Sequence, residues 1–234
     1  MAKKKVLAVV TSHEYMKNEK DKTGLWLSEL VHFYDCLKLA GYEVDIVSTK
    51  GGKVPLDPKS LLPVLLDNRT KEYYLDPYFI SRLDKTTSID EITSDEYGCI
   101  YFAGGHGTMW DFPNQSSIQK LTAEIYEKGG VVSAVCHGPA ALLNVVLSDG
   151  THLLEGKTVT GYTNMEETIM FASHKIPFKL QNELTAKAGK FTKSTVPFTS
   201  HVVENERVIT GQNPQSARAV GEKTLHFLQN QKRY

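Results

Sequence analysis

Cys136 closes the apolar run Val131–Val135 and is followed at once by His137, Gly138 and Pro139. Such a run reads as a buried strand. Gly-Pro ahead of Ala140, Ala141, Leu142 and Leu143 reads as a helix start with Pro in its first turn. The thiol therefore stands at a strand-to-helix corner. Ala134 and Gly138 flank it at minus two and plus two, the small-residue spacing that lets a sharp elbow fit its backbone. A sulfur held there would lie over the free N–H groups of a helix's first turn, whose partial positive charge favours the thiolate. The chemistry this supports is nucleophilic attack, with His137 as the adjacent polar partner. A cysteine that merely ended a core strand would behave as a small hydrophobe and would not need the elbow.

The other candidate ligands and nucleophiles are dispersed. Cys36, Cys99 and Cys136 are odd in number and contain no Cys-x-x-Cys, so neither a disulfide framework nor a structural zinc site is indicated. The eight histidines include no His-Glu-x-x-His, and the spacing predicts no protein-held metal. Lysine plus arginine and aspartate plus glutamate both number 27, which argues against nucleic acid or an anionic membrane as a partner. The Lys3-Lys4-Lys5 run reads as a solvated tail. Only residues 6–10 are apolar after it, too short a stretch for a signal-peptide core or a spanning helix, and the expectation is a cytoplasmic protein.

The elements that must position Cys136 alternate between strand and helix. Residues 5–11 read as a strand, 25–40 as an amphipathic helix stopped by Gly41, and 42–48 as a second strand. The pattern resumes with a strand over 99–103, a helix over 118–128 ended by Gly129-Gly130, and the strand that leads to Cys136. Residues 158–160, 200–203 and 207–210 read as further strands, with helices from about 164, near 179–188 and from Pro214. This order predicts an α/β fold with a doubly wound, mostly parallel sheet flanked by helices, its ligands at the carboxyl ends of the strands. At 234 residues with 41% hydrophobic content the chain is read as one domain, 1–234. Residues of about 50–97 exceed what one crossover needs and read as an insertion of short helices, aromatic-rich over 71–83 and open to a lid role.

Five segments, in order along almost the whole chain, resemble the ThiJ/PfpI superfamily. They are Lys22-Thr23-Gly24 with Glu29, Phe102-Ala-Gly-Gly-His-Gly-Thr108 continuing to Trp110-Asp-Phe-Pro113, Ala134-Val-Cys-His-Gly-Pro139, Thr160-Gly-Tyr-Thr163 with Glu167, and Thr210-Gly-Gln-Asn-Pro-Gln-Ser216. The resemblance implies a class I glutamine amidotransferase-like, flavodoxin-like fold. It is nearest to the branch of heat-shock-protein-31-type chaperones and glyoxalase III enzymes. It places the nucleophile on Cys136, its histidine on His137 and the acid of the triad on Glu167, with Glu166 a rival. It places a buried glutamate near the sulfur at Glu29. The helix around that residue is apolar, so desolvation would hold the carboxyl protonated. It implies an oxyanion hole from the amides of Gly105 and His137. His106, Trp26 and Trp110 are candidate pocket walls, and Asn213-Pro214 reads first as a helix cap. One departure is Val196-Pro197-Phe198-Thr199-Ser200, where that branch usually shows Pro-Trp-Asp.

The activity the resemblance implies is glutathione-independent conversion of a small 2-oxoaldehyde, typified by methylglyoxal, to lactate. No metal or cofactor is needed, a homodimer is expected, and either Glu29 or His137 would shuttle the proton. A related deglycase activity would share the first step. The alternatives are a stress-inducible holdase chaperone, a cysteine peptidase and a glutamine amidotransferase. The last is disfavoured because no His-x-Glu is present.

Overall fold

The computed structural model describes residues 5–17 and 19–230. In chain order the elements are β1 (Lys5–Val10), α1 (Leu27–Leu39), β2 (Glu43–Ser48), α2 (Asn68–Leu75), α3 (Pro77–Asp84), β3 (Thr87–Ser88), β4 (Tyr97–Phe102), α4 (Thr108–Asp111), α5 (Ser116–Glu127) and β5 (Val131–Val135). They continue with β6 (Thr158–Val159), α6 (Asn164–Ile169), α7 (Leu180–Lys187), β7 (Lys190–Phe191), β8 (Val202–Asn205), β9 (Val208–Gly211) and α8 (Ala217–Asn230). Seven strands form one sheet in the order β3-β2-β1-β4-β5-β9-β8, parallel throughout except that β8 runs antiparallel to β9.

The alternation of side chains along β1 shows why this chain makes three layers. Val6, Ala8 and Val10 join a core with Leu30, Phe33 and Val220 on the α1/α8 face. Leu7 and Val9 join Ile118, Leu121 and Ile125 on the α5 face. A strand covered on both sides has to be apolar at consecutive positions, as β1 is from Val6 to Val10 and β5 is apart from Ser133, whose hydroxyl bonds Thr224 of α8. Tyr101 of β4 stacks on Phe33 of α1 with ring centroids 3.6 Å apart and donates its hydroxyl to the Glu29 carbonyl at 2.8 Å, which anchors the helix that carries Glu29.

Winding reverses between β1 and β4, where a doubly wound sheet opens a crevice. Here Asp111 closes it. Its carboxyl accepts from Thr11 Oγ1 at 2.9 Å, from the Ser12 N–H at 2.8 Å and from Thr49 Oγ1 at 2.6 Å. The open concavity is displaced to the carboxyl ends of β4 and β5.

Four local expectations change. The helix read after Cys136 is a 3-10 turn, Gly138–Leu142, and the helix read from Pro214 likewise opens as a 3-10 turn, Pro214–Ser216, before α8. Residues 158–159 pair with β7 in a separate two-stranded sheet. The segment at about 50–97 does not end as a helical excursion: β3 pairs with β2 and becomes the edge of the main sheet. Within that segment Tyr73 and Phe79 pack edge-on against Tyr34, while Tyr78 is exposed. Lys3 and Lys4 of the proposed tail lie outside the described residues. Lys5 opens β1 and pairs with Asp45 at 3.0 Å and Glu96 at 2.9 Å. No described helix is long and apolar enough to cross a membrane.

Candidate active site

The backbone at Cys136 is bent as the sequence spacing requires. Its φ is +60°, a left-handed value that costs a non-glycine residue about 1–3 kcal/mol and is held only by its surroundings. The Cys136 N–H donates to the Gly211 carbonyl at 2.9 Å, and its own carbonyl accepts from the Tyr162 N–H at 2.9 Å. Gly138 lies so close to β4 that a Cβ there would stand 2.2 Å from the Phe102 carbonyl oxygen. The strand end is thereby turned so that the sulfur faces a cavity.

A buried chain of polar contacts leads away from the thiol. Cys136 Sγ is 3.2 Å from His137 Nδ1, and His137 Nε2 is 2.5 Å from Glu167 Oε1. The second oxygen, Oε2, is 2.9 Å from Nε2 of His106. Burial by itself would raise the Glu167 carboxyl, but the two imidazoles facing it outweigh burial and hold it well below the usual carboxylate range. An ionised Glu167 accepts from both Nε2–H groups. That tautomer leaves the Nδ1 lone pair of His137 pointing at the thiol, where it can take a proton. Burial, and after it the neighbouring His106, pushes His137 below its ordinary value, so its neutral form prevails near pH 7. Glu166 does different work. It closes a capping box with Thr163 at the start of α6 and accepts from the Phe198 N–H, Gln212 Nε2 and Asn213 Nδ2. Asn213 is therefore a tie to Glu166 and to Ser216 rather than a side-chain cap on the turn that follows it.

On the other side of the sulfur lies Glu29, completely buried in the first turn of α1. The segment ahead of it is clamped onto the β4 turn. The Trp26 N–H donates to the Gly104 carbonyl at 3.1 Å, and a Cβ on Gly105, whose φ is +108°, would stand 2.1 Å from the Gly24 carbonyl oxygen. Glu29 Oε2 accepts from the Gly104 N–H at 2.7 Å. Oε1 has no hydrogen-bond partner of its own among the described residues, and the Cys136 thiol is the polar group beside it. Burial pushes this carboxyl up to about 8, so it is protonated at neutral pH and can donate to sulfur. Burial also pushes the Cys136 thiol well up, Glu29 adding to the effect. This reverses the expectation of a thiolate stabilised by a helix start, because the turn is only five residues long and the sulfur is dry. The nearest proton acceptor for that thiol is His137 Nδ1, 3.2 Å away.

The cavity over the sulfur measures about 290 Å³ and is overwhelmingly apolar. Of the candidate walls Trp26 and His106 line it, beside His137. Trp110 does not: its ring stacks on His13 with centroids 4.7 Å apart, since Asp111 ties α4 to the end of β1. Sequence reasoning missed Tyr162, Phe198, Leu65 and Met170, which wall it together with Pro214 and Gln215. Tyr162 stood inside a quoted motif and Phe198 inside the departing segment, so both carried a signal. Leu65 and Met170 carried none. Among the described residues neither the Gly105 nor the His137 N–H is matched to a protein acceptor, which leaves both free to meet an oxyanion. His106, His137 and Glu167 also have ligand atoms within 4.8 Å of one another. Their Nε2–O separations of 2.5 and 2.9 Å are those of shared protons, since donors around tetrahedral zinc stand about 3.3 Å apart.

A family model, the DJ-1/PfpI family, matches residues 22–226. The "Glutathione-independent glyoxalase HSP31" of Saccharomyces cerevisiae is 33% identical to this chain, over 98% of it and 100% of the relative. Among solved structures, the Rapid Encystment Protein of 24 kDa from Francisella tularensis superimposes with a TM-score of 0.91 at 40% identity, covering 96% of this chain and 98% of its own. Glyoxalase III from Candida albicans superimposes at 0.85 with 31% identity, over 95% and 96% of the two chains.

Proposed function

Because the chain belongs to the DJ-1/PfpI family, we propose that it is a glutathione-independent glyoxalase. It converts methylglyoxal or a similar small 2-oxoaldehyde to the 2-hydroxy acid, through a covalent adduct on Cys136. The observation that carries this reading is a sulfur flanked by a neutral imidazole 3.2 Å away on one side and on the other a protonated carboxyl whose Oε1 has no other partner, under a cavity of about 290 Å³. Two proton-transfer groups astride a nucleophile are what an aldehyde-to-acid isomerisation needs. A cavity of that size suits a three-carbon substrate better than a peptide.

In this mechanism the thiol proton passes to His137 Nδ1 as the S–C1 bond forms. The C1=O electrons move onto oxygen, held by the Gly105 and His137 amides, and the proton returns to give a hemithioacetal. Glu29 then donates its proton to the C2 ketone oxygen while His137 removes the C1 proton, whose bonding pair becomes the C1=C2 bond of an enediol. His137 delivers its proton to C2, Glu29 recovers one from the C1 hydroxyl, and a thioester results. Water cleaves it to lactate and the free thiol. No electrons leave the substrate, so no redox cofactor takes part.

The test is lactate formation from methylglyoxal without glutathione. Cys136→Ala should reduce it to background with the fold intact, because only the attacking sulfur and a small volume are lost. Turnover surviving in that variant would overturn the reading. A second reading has its own observation. Val64, Ile169, Phe171 and Val196 are exposed apolar residues, Val64 and Phe171 at 86% and 80%, and a holdase would bind unfolded chains on such residues. Suppression of aggregation undiminished in Cys136→Ala would establish that activity beside the enzymatic one.

A further inference from the structure

The site contains a second imidazole that the reaction does not use. His106 follows the β4 turn, is buried, and spends its Nε2 on Glu167 rather than on the sulfur or a backbone carbonyl. Glu167 is thereby shared, one oxygen to His137 at 2.5 Å and the other to His106 at 2.9 Å, and the two rings stand with centroids 4.2 Å apart. A carboxylate held at one oxygen only can rotate about its last bond. Held at both, it presents Oε1 in a fixed direction, and a fixed Oε1 is what locks His137 in the Nε2–H tautomer with Nδ1 free for the thiol.

We infer that His106 is a positioning residue of this site: through the far oxygen of Glu167 it fixes the orientation of His137, and its ring, 4.2 Å from that of His137, stands against a charge there. The second half follows from the separation of the rings. Two imidazolium ions that close repel strongly, and a single carboxylate between them can compensate only one. The charged or titratable groups around His137 are Glu167 and Glu166 from α6, His106 from the β4 turn, Tyr162 ahead of α6, and Cys136 with Glu29 of α1 behind it. Among them His106 opposes protonation of His137, whereas Glu167 and Glu166 favour it.

The proposal rests on the functional reading above only in naming His137 as base, and it can be tested without turnover. The rate at which iodoacetamide alkylates Cys136 is measured against pH in the wild type, His106→Gln and His106→Leu, with methylglyoxal turnover recorded in parallel. Gln can still donate from its Nε2 to Glu167 but carries no charge. It should keep the plateau rate within about threefold and move the acid limb of the profile up by about one pH unit, because the opposing imidazole is gone. Leu should move that limb at least as far and also lower the plateau about tenfold or more, since Oε2 loses its donor and His137 its orientation. A His106 that serves only as a cavity wall would change KM for the aldehyde and leave the acid limb of alkylation where it is, and that result overturns the inference. If Leu prevents folding, the Gln profile alone decides. If the limb moves as expected while no lactate forms in the wild type, the glyoxalase reading fails and the role of His106 stands.

Discussion

At the scale of residues, the central fact is that Glu29 keeps its proton. Burial raises it from 4.5 to about 8, so the folded state binds a proton that the unfolded chain releases. A raised acid makes stability fall as pH climbs from 4.5 to 8, where the unfolded state binds fewer protons, and level off above that. Glu29→Gln removes this slope. Denaturant melts of wild type and variant should diverge from pH 5 to about 8 and run parallel beyond it, the variant gaining about 3–4 kcal/mol relative to wild type over that span; curves parallel from pH 5 onward would mean that the carboxyl is not protonated in the native protein. The same variant should turn over methylglyoxal about 10²-fold more slowly, because an amide cannot exchange the proton. In the proposed mechanism the residue that destabilises the fold at working pH also moves the proton, a stability–activity trade-off in one side chain.

The elements show how close packing of backbone, rather than side-chain choice, sets the elbow. The Gly138 position, 2.2 Å from the Phe102 carbonyl for any added Cβ, joins β4 to the turn after Cys136. Gly138→Ala must push two backbones apart at the nucleophile, at a cost of about 1–3 kcal/mol or more, and should abolish turnover even where the protein stays folded. Gly150, with φ +86° and open space around it, is the control. Gly150→Ala should cost about 1–2 kcal/mol from its left-handed backbone alone and leave kcat unchanged. Thermal melts and kinetics on the two variants separate strain from misplacement, and equal kinetic loss in both would refute the assignment of the elbow. α1 depends on another constraint. Asp35 is buried and accepts from Arg69 and Tyr73 of α2 and from Arg218 of α8, so one carboxylate ties the inserted helices to the main body. The cavity wall at Leu65 lies just ahead of α2.

The whole molecule brings together groups from five distant places: Glu29, Gly105 with His106, Cys136 with His137, Tyr162 with Glu167, and Phe198. Homodimerisation is a proposal that sedimentation checks: a species of twice the 26.1 kDa chain mass is expected, and a monomer at micromolar concentration would remove that expectation. Much was legible without the fold. Strand periodicity, Gly punctuation and the small residues beside Cys136 determine a parallel α/β sheet with a cysteine on a tight elbow at a strand end, because those are local steric and burial requirements written in adjacent residues. An apolar stretch around Glu29 likewise foretells its protonation. Tertiary structure decided the rest. Glu166 and Glu167 are neighbours in sequence, yet only the direction of α6 sends one to the imidazoles and the other to Asn213. Trp110 looks like a wall from its motif, but α4 is turned by Asp111 onto β1, and the ring goes to His13 instead. The thiol's environment was misjudged for the same reason. A helix start can be read from Gly-Pro, whereas its length and the dryness of the sulfur depend on what the other four segments place around it. Partners across space, and the burial that shifts their protons, are properties of the packed chain and have no local pattern to betray them.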